Sequence, residues 1–132
     1  MHTLTVQTTQ REELRQITDL LEDLVRDRGW QDGALLLFCQ HTTAALTVNE
    51  AADPDVAQDM RMFMRKLVPP LAEFRHAEGN SDAHVKTSLF SPHCMLIVEN
   101  GRLRLGTWQG VYFCEWDGPR KRSLWAQFLP GE

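Results

Sequence analysis

Ala34-Leu35-Leu36-Leu37-Phe38-Cys39-Gln40-His41 is the stretch on which the fold turns. In an extended chain alternate side chains point to opposite faces. Leu35, Leu37, Cys39 and His41 therefore share one face, and Ala34, Leu36, Phe38 and Gln40 share the other. Both faces are mostly apolar, which predicts a central strand covered on two sides. Ala44 to Asn49 either continues this strand or forms its neighbour.

Upstream, Leu4 to Thr8 alternates and is rich in β-formers, so it reads as a first strand. From Glu12 to Arg28 the period changes: Leu14, Ile17, Leu21, Leu24 and Val25 recur at steps of three and four. That spacing predicts an amphipathic helix, with Thr9 as its N-cap and Gly29 as its stop. Downstream, Asp53-Pro54 starts a second helix with a capping carboxylate and a proline in the first turn. Val56, Met60, Phe63, Met64 and Leu67 mark its apolar face, and Pro69-Pro70 ends it.

Pro70 to Ser88 is aperiodic and polar, a long irregular segment of the kind that often carries function. Met95 to Val98 and Leu103 to Leu105 flank Glu99-Asn100-Gly101-Arg102, a hairpin signal. Trp108 to Trp116 and Ser123 to Leu129 read as two more strands around the turn Asp117-Gly118-Pro119-Arg120. The expectation is one α+β domain over residues 1–132, with two helices early and an antiparallel meander late.

The composition narrows the partners. A net charge of −4, with basic residues scattered apart from Arg120-Lys121-Arg122, lacks the electrostatic footprint of a nucleic-acid binder. No apolar run approaches the roughly 20 residues needed to span a bilayer, and Met1 to Gln10 carries no leader pattern. Cys39, Cys94 and Cys114 are odd in number and have no metal-ribbon spacing. A reducing cytoplasm fits that usage.

Four stretches hold chemistry-bearing residues. His41, at the polar end of its strand and followed by Thr42 and Thr43, has the residue type of a metal ligand or proton shuttle. Taken alone, it reads first as a strand-end histidine satisfied by a carbonyl or water. His76-Ala77-Glu78-Gly79-Asn80-Ser81-Asp82-Ala83-His84 concentrates imidazoles, carboxylates and an amide, which suit a divalent ion. The eight-residue histidine spacing matches no compact metal motif, and a polar surface loop accounts for it too. Gly106-Thr107-Trp108-Gln109 offers hydrogen bonds and a ring to stack on, or else a bulge beside a core tryptophan. Arg120 follows a Gly-Pro turn, where a guanidinium can grip phosphate or stand solvated. Asn49, Glu50, Asp53, Asp55 and Asp59 form an acidic region that suits a cation, and the start of a helix explains Asp53 and Asp55 as well.

Taken in order, His41 to Asp59, then His76 to Leu89, then Glu99 to Arg120 closely resemble the YjbQ-like family, also known as secondary thiamine-phosphate synthases. The likeness runs from the first strand to the last turn. It implies a compact fold with a mainly antiparallel sheet, assembled as a homotrimer. It also implies that His41, His76 and His84 are ligands of a divalent metal; histidines favour a zinc-class ion, and a diphosphate substrate favours magnesium. The implied reaction joins an aminomethylpyrimidine diphosphate to a thiazole phosphate and releases pyrophosphate. Under that reading His84, Asp82 and Glu50 are catalytic. Thr42, Asn49, Asn80, Thr107, Trp108, Gln109 and Arg120 bind the phosphorylated metabolite. A metal-dependent hydrolase and a non-catalytic metal- or metabolite-binding protein stand as alternatives.

Overall fold

The computed structural model describes residues 1–132 and orders eight strands and three helices along the chain. They are β1 (His2–Gln7), β2 (Glu13–Gln16), α1 (Thr18–Arg28), β3 (Gly33–Phe38), β4 (Ala44–Glu50), α2 (Pro54–Leu67), α3 (Ser81–Leu89), β5 (His93–Glu99), β6 (Arg102–Leu103), β7 (Gln109–Glu115) and β8 (Lys121–Pro130). All strand pairs are antiparallel. One sheet has the order β1-β8-β3-β5-β6 and the other β2-β7-β4.

β3 is central, as its sequence predicts, with β5 on one side and β8 on the other. Its inward residues Leu35 and Leu37, followed by Cys39, are buried with Leu96, Val98, Leu124 and Ala126 of the neighbouring strands. Phe113 and Val111 of β7 and Leu21 and Val25 of α1 close the same core. The other face departs from expectation. Nothing in the chain covers it, and Phe38, Met95, Ile97, Trp125 and Leu129 stand exposed there, with Phe38 and Trp125 stacked at 6.1 Å between ring centres.

The first predicted helix is half strand. Glu13–Gln16 pairs with β7, Leu14 facing Cys114, and α1 begins only at Thr18. The Leu14–Ile17 step imitates a helical period, but β2 supplies the third strand of the small sheet, and that pairing overrides the pattern. Thr9 accordingly caps nothing: its N–H and hydroxyl donate to Glu13, and Ile17 occupies the N-cap without a side-chain bond. Gly29 does end α1, in the left-handed region at φ 67°.

α2 starts as predicted, with Asp53 Oδ1 accepting from the Asp55 N–H and Pro54 in the first turn. Its apolar face is only half-covered: Val56, Met60 and Met64 are partly buried, whereas Phe63 and Leu67 are exposed. β5 and β6 form the predicted hairpin around Asn100-Gly101. Both residues have positive φ (52° and 76°), the combination that a two-residue turn of this hand demands.

Two expectations are corrected. Residues 81–89, inside the segment read as irregular, form a third helix. β7 and β8 do not form a hairpin of a meander; they belong to different sheets, and the Asp117–Arg120 turn carries the chain between them. Gly118 is required there, because a Cβ would strike the Gln10 carbonyl oxygen. No helix is long and apolar enough to cross a membrane.

Candidate functional site

The chain crosses between the sheets three times at one end of the molecule, once through residues 8–12 from β1 to β2 and twice more beside it. Residues 39–43 lead from β3 to β4 and residues 116–120 lead from β7 to β8, while Ala44 pairs with Glu115 where the crossings meet. The Trp116 N–H donates to the Thr43 carbonyl and ties one crossing to the other. α3 packs across this end through Ala83, which joins Ala45, Cys114 and Trp116 in a small apolar cluster.

Between the crossings and α3 lies a cleft of two lobes. One, of about 480 Å³, is lined by His41, Thr42, His84, Thr87, Ser88, Phe90 and Pro92. The other, of about 350 Å³, is lined by Thr42, Thr43, His76, Glu78, Asn80, His84, Asp117, Arg120 and Arg122. Thr42 and His84 line both lobes, so the three predicted histidines border two adjoining hollows. Asn80 and Arg120 are there too, as expected.

His41 is held by the backbone of β8: its Nε2 lies 3.1 Å from both the N–H and the carbonyl oxygen of Ser123. Burial, and then the nearby Arg122 guanidinium, hold its imidazole below the ordinary histidine range, so it stays neutral near pH 7. The Ser123 N–H donates to Nε2, and in the tautomer that accepts this bond Nδ1 carries the proton. His76 and His84 meet edge to face, with ring centres 5.4 Å apart.

That separation bears on the metal the family resemblance implies. Two imidazoles sharing a tetrahedral ion, each nitrogen about 2.1 Å from it, have ring centres about 5 Å apart. His76 and His84 therefore fit half of a site, with Glu78 and Asn80 beside them. No three His, Cys, Asp or Glu side chains converge closely enough to hold an ion, and His41 stands in the other lobe.

Beneath the cleft lie two buried charge networks. Arg122 donates to both Glu115 carboxylate oxygens and to the Thr43 hydroxyl, and the Thr8 hydroxyl donates to Glu115. Beside it, Lys86 Nζ donates to Glu12 and Asp82, at 2.8 and 2.9 Å, while Arg11 grips Asp82 with two bonds of 3.1 Å. Burial alone would raise the Asp82 carboxyl, but the bonds from Arg11 and Lys86 outweigh it and hold the group below its ordinary range. Asp82 is thus an ion-pair partner on the buried side of α3, not a proton carrier in the cleft.

Arg120 is matched as well: it donates to the Asp117 carbonyl and carboxylate, and Asn80 Nδ2 donates to the same carboxylate. Both guanidiniums of the cleft therefore already face a carboxylate.

The remaining expected residues lie elsewhere. In the register of β4 and β7, Glu50 pairs with Gln109 and Ala44 with Glu115. Asn49, Glu50, Thr107, Trp108 and Gln109 therefore sit at the opposite end of the small sheet, roughly 20 Å away at about 3.3 Å per residue. Glu50 accepts from the Ala52 N–H and Asn49 from the Glu50 N–H, shaping the entry to α2. Gln109 accepts from Gly106, and Trp108 is 64% exposed. Within one chain these residues and the histidine cleft do not meet.

Sequence reading missed Arg11, Glu12, Lys86, Glu115 and Arg122. Arg122 carried a signal, since it alternates in phase with Leu124 and Ala126 and so points inward along β8. The others become legible only when distant segments are brought together.

Comparison with known proteins gives one answer. The YugU protein of Bacillus subtilis is 47% identical over 130 residues, covering 98% of each chain. A Methanocaldococcus jannaschii protein is 41% identical, covering 94% of this chain and 90% of its own. Among solved structures, a Clostridium acetobutylicum protein described as a YugU ortholog superposes with TM-score 0.93 at 42% identity, covering 98% of this chain and all of its own. A conserved hypothetical protein of Thermus thermophilus gives 0.91 at 43%, with the same coverage. The family model described as UPF0047 protein YjbQ-like matches residues 2–131, and the chain belongs to that family.

Proposed function

We propose that the two-lobed cleft is the active site of a metal-dependent enzyme acting on a small phosphorylated metabolite, with thiamine-phosphate synthesis as the reaction to assay. The observation that supports it is the gathering of His41, His76 and His84 from three separate segments around two adjoining hollows. His76 and His84 would hold the ion, with Asn80 and Glu78 as neighbouring oxygen donors. When bound, it would supply positive charge for diphosphate oxygens. That charge is needed, because Arg120 and Arg122 are already neutralised by Asp117 and Glu115.

The chain's own groups bind and orient. Thr42, between the lobes, offers a hydroxyl to a ligand spanning both. Arg120 keeps donors free beyond those on Asp117 and would steer the leaving group. His41, neutral and fixed by Ser123, would donate from Nδ1 to a ligand oxygen. In the synthase reaction the carbon–oxygen bond to the diphosphate breaks, a carbon–nitrogen bond to the thiazole ring forms, and pyrophosphate departs. Holding both rings in line is what the cleft would contribute. A hydrolase is the second reading, favoured by the position of Trp108 at the far end of the small sheet, which leaves Phe90 as the aromatic ring of the cleft.

In this reading the protein works in the cytoplasm as a homotrimer. The uncovered face carrying Phe38, Met95, Ile97, Trp125 and Leu129 is the surface that association would bury. Metal analysis of untagged protein tests the site. About one zinc-class ion per chain, lost in a folded His76→Ala/His84→Ala variant, supports it, and pyrophosphate release assayed with that ion then separates synthase from binding protein. No metal uptake by the wild type, even after incubation with Zn²⁺ or Mn²⁺, would overturn it. Light scattering tests assembly: the wild type should weigh as three chains and Ile97→Lys as one.

A further inference from the structure

α3 is built inside out. Its apolar residues Val85 and Leu89 are 41% and 57% exposed, while Asp82 and Lys86 are 0% and 1% exposed. At about 100° per residue Leu89 stands beside Asp82 and Lys86 on the helix and Val85 a little further round, so a helix placed by the hydrophobic effect alone would be turned further to bury them; α3 stops short and covers the two charges instead. The observed rotation is therefore set by something else, and the charges are the only strong contacts on its buried side apart from small Ala83.

Those charges reach the connection between β1 and β2 directly and α2 through it. Glu12 lies between β1 and β2 and receives Lys86 Nζ on one oxygen and Arg65 Nε of α2, at 2.9 Å, on the other. Asp82 receives Lys86 and the paired bonds of Arg11. Every acceptor oxygen of the two carboxylates is thus engaged, and Lys86 bridges them. His84 lies two residues from each anchor. At about 100° per residue it faces away from them, so a rotation by one residue would carry it out of the cleft.

We infer that Lys86, bridging Glu12 and Asp82, is a positioning residue of the cleft: it fixes the rotation of α3 and so places His84 beside His76 and Thr42. The inference rests on the reading of the cleft as the functional site. It deepens that reading by naming what holds the site's central histidine. Replacing a whole buried ion cluster by neutral groups of similar size commonly leaves a fold intact. What is lost is the geometric demand that each charge meet its partner, and with it the reason for α3 to keep Val85 and Leu89 outside.

The test is the full-length variant Glu12→Gln/Asp82→Asn/Lys86→Met, beside the milder Arg11→Gln, which removes only the paired bonds on Asp82. The direct readout needs no metal: the nuclear Overhauser contact between the His76 and His84 rings. Zn²⁺ affinity is read in parallel. The triple variant, folded by circular dichroism, should lose the ring contact and bind Zn²⁺ at least tenfold more weakly; Arg11→Gln should weaken both by a smaller factor. A ring contact kept at wild-type strength in the folded triple variant, or in Arg11→Gln should the triple variant not fold, overturns the positioning role. Wild-type protein that shows the ring contact but takes up no Zn²⁺ overturns the metal reading instead, so the two failures are distinct.

Discussion

α1 and α3 have nearly the same task, to lie across strands and close one side of the molecule, and they do it by opposite means. α1 buries Leu21 and Val25 in the main core and turns Asp23, Arg26, Asp27 and Arg28 to solvent. α3 buries an aspartate and a lysine and leaves its valine and leucine outside. A helix held by apolar burial tolerates small shifts, because that force has no direction. A helix held by paired charges does not, because each misplaced ion loses its partner and keeps its desolvation cost. The helix that carries a cleft histidine is the one held by charges.

The contrast is open to experiment. The largest effect is expected at Lys86: Lys86→Met leaves Glu12 and Asp82 buried without their bridge and should cost about 3–5 kcal/mol in urea unfolding. A loss below about 1 kcal/mol would mean that water reaches the carboxylates and that α3 is not held as described. Leu21→Ala is the matching change in α1 and should cost about 2–5 kcal/mol through the cavity it leaves. The loss should be the same in neutral and in mildly acid buffer, since no titrating group is touched.

Acid should separate the two helices further. Burial would raise the Glu12 and Asp82 carboxyls, but Lys86 and Arg65 on the first, and Arg11 and Lys86 on the second, outweigh it and hold both below their ordinary range. Their folded forms therefore bind fewer protons than the unfolded chain. The stability they contribute is fully present above the unfolded carboxylate range, about pH 4, and is lost as pH falls through the lower folded values. Hydrogen exchange should show α3 amides losing protection at acid pH before those of α1; simultaneous loss would erase the distinction.

Smaller effects mark the limits. Asp53→Ala removes the α2 cap and should cost about 1 kcal/mol without altering α3 exchange. Leu89→Ala should change monomer stability by no more than about 0.5 kcal/mol, because the side chain is already outside. A larger loss there would show that α3 packs by its apolar face after all.

The same contrast explains what could be read from the sequence. α1 from Leu21 onward, α2 with its Asp-Pro start, the Asn-Gly hairpin and the central strand were legible because each follows from local periodicity or turn chemistry. α3 was not, because its inward face is charged and its apolar residues stand exposed. β2 was hidden for the converse reason: Leu14 and Ile17 fall on a helical step although Leu14 is paired across to Cys114. Of the residues that line the cleft, His41, His76, His84, Asn80, Thr42 and Arg120 are ones that residue type and family resemblance single out. The ion pairs that anchor α3 join Arg11 to Asp82, 71 positions apart, and Glu12 to Lys86, 74 apart, and no window of local pattern reaches that far. Trp108 and Glu50 were placed in the same site by residue type and by the family resemblance, yet a strand's length divides them from the histidines.

Two of the crossings between sheets also decide where the cleft lies. Its walls are the seams where a larger and a smaller sheet are stitched together, at Thr42-Thr43 and at Asp117–Arg120, with the Trp116-to-Thr43 bond as the stitch. Both sheets pack into the same core, Leu35 and Leu37 of one against Val111 and Phe113 of the other, so the packing that fixes the fold also fixes how far apart the walls stand. The cleft is thus an outcrop of the core: a change of side-chain volume deep between the sheets is felt at its rim.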